Sequence, residues 1–175
     1  MLMKKSAYVL PIVVLLFLSL ITTASTGGTR VEAQDINSTQ EQTVYIHTIQ
    51  SDHGKLSITA DEINWYQDAE ADRVFAERDP EGAEEIGGAP DGYYIVNDVD
   101  TLTTYPIAED AKVTMQIYDH TGNMEDLDIQ WDEPITLQQF VDHFNTTDII
   151  DLSQFPYHIT VQDGVITSIV QQYVP

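Results

Sequence analysis

From Val44 to Gln50 the chain alternates apolar and polar positions (VYIHTIQ), with Val44, Ile46 and Thr48 on one face, and KLSITA repeats the pattern from Lys55 after the turn SDHG. Alternation with period two between turn residues predicts a pair of strands. The period then changes. Asp68–Arg78 (DAEADRVFAER) places Ala71, Val74 and Phe75 on one stripe, with acids at Asp68, Glu70 and Asp72 and a cation at Arg78, which suits the two ends of a helix dipole. DPEGAEEIGGAPDG follows, rich in proline, glycine and acid, and reads as a connecting loop or lid.

Strand patterning returns at Tyr93 in four runs, YYIVN, TLTTYPI, KVTMQIYD and LDIQW, broken by NDVD, AED and HTGNME. The first two runs predict a hairpin, with its tyrosines in the packing and its aspartates in the turn. Thr136 and Gln139 form a capping box flanked by Ile135 and Phe140, and Leu137, Phe140, Val141 and Phe144 share a face, so a second helix is expected there. YHITVQDGVITSIVQQYV closes the chain with Asp163-Gly164 between two alternating runs, a strong hairpin signal. The order of elements predicts an α+β fold: an antiparallel sheet, or a small OB-like barrel built from Tyr93 onward, of about six to eight strands with two helices.

The first residues belong to another pattern. Lys4 and Lys5 precede an apolar run from Ala7 to Ile21 and then TTASTGGT, the order of a secretory signal peptide. Cleavage fits after Ala24 or after Ala33, with Ala33 preferred; retention as an uncleaved membrane anchor is the rival. The expected organisation is a signal peptide at 1–33, a flexible polar tether at 34–43 and a single α+β domain at 44–175. There is no cysteine, which removes disulfides, thiolate nucleophiles and zinc–thiolate sites.

Removing residues 1–33 leaves four basic residues (Lys55, Arg73, Arg78, Lys112) against 28 acidic ones. So anionic a surface argues against nucleic acid and anionic membranes as direct partners, since both are bound through lysine and arginine. It suits an extracellular monomer adapted to high salt, where screening relieves repulsion among carboxylates.

INWYQDAEADRVFAERD, PDGYYIVND, DAKVTM and the ending DGVITSIVQQYVP together resemble a group of small secreted proteins of Gram-positive bacteria that carry no assigned activity. The resemblance implies a bacterial, extracellular origin and one compact domain. It transfers no catalytic residue.

Candidate chemistry is sparse. The serines lie outside any G-x-S-x-G context, and the five histidines have no ligand spacing. Carboxylate pairs such as Asp126 with Asp128, or Asp61 with Glu62, are too common in this sequence to single out a hydrolase. No cofactor is called for except calcium, which takes oxygen ligands from turns; Asp98, Asp100, Asp119 and Asn123 are the candidate ligands. Tyr93, Tyr94, Tyr105 and Trp131 are candidates for gripping a protein or glycan through aromatic surface. The expected function is a secreted, acidic extracellular or cell-envelope binding module. The alternatives are a carboxylate-based envelope hydrolase and a purely structural surface protein.

Overall fold

In the computed structural model, residues 38–175 are described; the signal segment expected at 1–33 lies outside them. Seven strands form: β1 (Thr39–Asp52), β2 (Lys55–Gln67), β3 (Tyr93–Val96), β4 (Leu102–Met115), β5 (Glu133–Ile135), β6 (Pro156–Gln162) and β7 (Val165–Gln171). Three helices accompany them: α1 (Asp68–Arg78), α2 (Pro80–Ile86) and α3 (Leu137–Phe144). Among the described residues no helix is long and apolar enough to cross a membrane.

Five strands close on themselves in the order β1-β2-β4-β7-β6 and back to β1, with only β4–β7 parallel. The chain is thus a β-rich fold, a closed five-strand barrel carrying two extra strands, β3 on β2 and β5 on β4. Closure removes most of the unpaired edge that an open sheet would leave. Ile46, Ile58, Met115, Tyr157, Ile159, Ile166 and Ile169 fill the interior, together with Phe140 from α3, whose ring meets Tyr157 edge-on at 5.7 Å. A smaller cluster, separate from this core, places Phe75 of α1 against Tyr94 of β3.

Several expectations hold in detail. Helix α1 has the predicted bounds, and the capping box of α3 is complete: Thr136 Oγ1 accepts from Gln139 N (3.2 Å), and Gln139 Oε1 accepts from Thr136 N (2.9 Å). The β6–β7 turn has left-handed φ at Asp163 (53°) and Gly164 (80°), the conformation in which this dipeptide makes two-residue hairpins.

The differences arise where pairing overrides local pattern. Strand β1 starts at Thr39 rather than Val44, because Thr39–Thr43 of the expected tether pair with His158–Gln162. A bulge at His47 resets its alternation, so Ile49 and not Thr48 packs toward the core. TLTTYPI and the KVTM half of KVTMQIYD join in one strand, which ends at Met115 so that QIYD is not strand; AED marks the irregularity where β4 leaves β2 and turns to β7. LDIQW is not a strand, and the acidic loop after Arg78 contains α2, with Asp79 accepting from Gly82 N (2.9 Å), Pro80 in its first turn and Gly87 at its left-handed end.

The expected hairpin at Tyr93–Ile107 is absent in a way that matters for the site. Both β3 and β4 run antiparallel to β2, Val96 opposite Asn64 and Leu102 opposite Asp61. They are one interrupted strand, and Asn97–Thr101 is an excursion from it.

Candidate functional site

Asp61 fixes that excursion. It is 3% exposed, and its carboxylate accepts from Asn97 Nδ2 (2.6 Å) and from Thr101 N (3.0 Å). Its cross-strand partner is Tyr45, so the two side chains share the outer face of the barrel wall. Beside them the bulge presents His47, and on the far side the turn Leu152–Gln154 brings Ser153 and Gln154. Together with Asn97 and Asp100 these residues line a groove of about 400 Å³.

The Ser153 wall of the groove is held from behind. Ser153 donates through N (3.0 Å) and Oγ (2.7 Å) to Asp151 Oδ1, and these bonds keep the Asp151 carboxyl below its usual range. Burial, with the Tyr93 phenol close by, raises the Tyr45 hydroxyl above its ordinary value. Tyr93 itself stacks on Trp65, centroids 4.7 Å apart and planes 11° from parallel.

The candidate aromatic residues therefore divide among different packings. Tyr93 lies on Trp65, Tyr94 on Phe75, and Tyr105 packs against the barrel core. Trp131 is 67% exposed and meets Tyr173 edge-on at 5.6 Å.

The candidate calcium ligands are likewise apart. Arg78 forks onto Asp98, with Nη1 to Oδ1 at 2.8 Å and Nη2 to Oδ2 at 2.6 Å, which holds that carboxyl below its usual range. Asp119 Oδ1 accepts from Thr121 N and Gly122 N, closing a turn, and Asn123 Nδ2 bonds Thr121 Oγ1. Only Asp100 of the four lines the groove. Among the described residues, no three acidic or histidine side chains gather as a metal would require. The nominated Asp61–Glu62 pair is split by strand alternation, with Asp61 buried and Glu62 exposed.

Two further polar groupings were not legible as such. Glu133 accepts from Tyr118 OH (2.8 Å) and lies 2.9 Å from His120 Nε2, while His120 and His143 both pack on the Tyr118 ring, at 3.9 and 4.7 Å. Burial pushes the Glu133 carboxyl up, but the bonds from His120 and Tyr118 and the nearby His143 outweigh it and hold it low. Burial first, and then the Glu133 contact, push Tyr118 up to about 12. Elsewhere Thr43 Oγ1 bonds His158 Nδ1 (3.0 Å) and His158 Nε2 bonds Gln172 Oε1 (3.0 Å). That chain has the outline of a hydroxyl–imidazole relay, yet the amide in third place lacks the charge that stabilises an imidazolium in catalytic triads.

Comparison of the chain with family models, with curated proteins and with solved structures finds no match.

Proposed function

We propose that the chain is a secreted, strongly acidic, non-enzymatic binding module of a Gram-positive cell surface or its surroundings, acting as a monomer and holding its ligand in the groove beside Tyr45 and Asp61. The leader-like pattern at residues 1–33 and the surplus of acids support the extracellular setting. The strand order β1-β2-β4-β7-β6, with its single parallel pair and α3 between the third and fourth barrel strands, supports an OB-type barrel. That architecture alone decides no ligand.

The observation that carries the reading is the groove itself. Its volume of about 400 Å³ falls within the range of roughly 300–1,000 Å³ usual for small-ligand sites. One aromatic ring and several hydrogen-bonding groups converge there, while Ser153 Oγ bonds Asp151 rather than an imidazole. Such a lining suits a hydroxyl-rich saccharide, held by hydrogen bonds with one ring face against Tyr45.

The test is retention of labelled protein on immobilised cell-envelope saccharides and peptides, comparing the native chain with Tyr45→Ala. Saccharide binding that Tyr45→Ala abolishes supports the reading. Equal binding by both chains, or release of cleaved saccharide, refutes it.

A further inference from the structure

The groove contains a buried negative charge with no positive partner. Asp61 is 3% exposed, and the ion pairs among the described residues all lie elsewhere: Asp52 with His53, Glu70 and Glu77 with Arg73, Asp98 with Arg78, Glu133 with His120. Both donors that meet Asp61 are neutral amides. A carboxylate offers about four lone-pair positions, so about two remain open after Asn97 and Thr101 are served. Asp100 adds a second carboxylate to the same lining, and none of the four basic residues from position 34 onward belongs to it.

We infer that the groove takes a hydroxylated primary amine, an amino sugar, with its ammonium group between Asp61 and Asp100 and its ring against Tyr45. This inference rests on the binding reading given above. An ammonium group brings three donors and a full charge, which match the open positions on two carboxylates. Tyr45 can face the cation or the sugar ring, while Gln154 and Ser153 offer partners to hydroxyl groups. A bare divalent ion fits less well. Calcium takes about six to eight oxygens, with charged carboxylates among them; of the two carboxylates in the groove one is already met by N–H donors, and among the described residues no three acidic or histidine side chains gather as a metal would require. The net negative charge of the whole chain would concentrate cationic ligands near the site.

The discriminating experiment titrates glucosamine trimer and N-acetylglucosamine trimer, which differ in charge but share a backbone, into the isotope-labelled chain and follows amide shifts and affinity. The expected result is that the glucosamine trimer alone moves Tyr45, His47, Asn97 and Asp100. Asp100→Asn should weaken it about tenfold, as for loss of one charge-assisted hydrogen bond, without altering the free chain's spectrum beyond its neighbours. Equal binding of both trimers in the groove overturns the amine preference and leaves the binding reading standing. Shifts spread over the acidic surface and unaffected by Asp100→Asn, or calcium producing the same groove shifts as the amine, overturn the inference. If neither trimer moves these residues the inference fails; the reading fails with it only if Tyr45→Ala also leaves saccharide retention unchanged.

Discussion

Replacing Asp61 tests how the groove is built. In Asp61→Ala the Asn97 amide loses its 2.6 Å bond and Thr101 N loses its 3.0 Å bond. A hydrogen bond to a charged group contributes about 1.5–3 kcal/mol. Both donors sit on exposed residues where water can replace the carboxylate, and Thr101 N is shared with Val99 O at 2.9 Å. Each loss therefore falls at or below the lower end of that range, for a total of about 2 kcal/mol. Removing one charge from an anionic chain returns a few tenths of a kcal/mol at low salt, roughly the Coulomb energy of charges 10 Å apart in water. Asp61→Asn keeps one acceptor oxygen but turns an N–H₂ toward a donor, and should cost about half as much. Urea unfolding of the three chains should give the order native, Asp61→Asn, Asp61→Ala, and in thermal melts the alanine chain should lie about 5–7 °C below the native one. Equal stability of all three, or an alanine chain more stable than the native one, would refute the idea that Asp61 anchors the excursion.

Three other outcomes follow from the charges. Because the Glu133 carboxyl is held low in the folded state, its contribution is present above the ordinary carboxylate pKa and is lost as pH falls through the folded value; His120→Gln should move acid unfolding to higher pH, which circular dichroism against pH would read. Tyr118 is raised from 10.0 to about 12, so stability should fall from pH 10 upward through about 12, and Tyr118→Phe should flatten that decline in alkaline melts. With 28 acids against four bases from position 34 onward, the melting temperature should rise from low to molar salt, and a flat response would sink the adaptation to salinity.

Sequence patterning revealed the elements whose signals are local. Helices α1 and α3, the β1–β2 pair and the Asp163-Gly164 hairpin depend on period, caps and turn residues within a few positions. What it missed depends on pairing between distant segments. YYIVN and TLTTYPI look like hairpin partners because they are neighbours with a turn-like gap, yet both add to β2, and no local rule shows that β2 is long enough to hold β1, β3 and β4 together. Local patterning suggests a small barrel built from Tyr93 onward, whereas the closed barrel takes its first two strands from β1 and β2. The groove was illegible for the same reason. Tyr45 and Asp61 are 16 positions apart and meet only through the β1–β2 register, and Ser153 and Gln154 arrive by way of the turn after α3. Of the candidate calcium ligands in NDVD, Arg78 takes Asp98, and the groove holds Asp100.

The excursion Asn97–Thr101 folds onto a buried Asp61, and that contact makes a groove of an interrupted strand. Amide hydrogen exchange at Thr101 tests it most directly. Exchange should be slower at Thr101 than at Asp98, Val99 and Asp100, and faster again in Asp61→Asn; exchange at the same rate as those neighbours, unchanged by the substitution, would show that Asp61 does not hold the excursion.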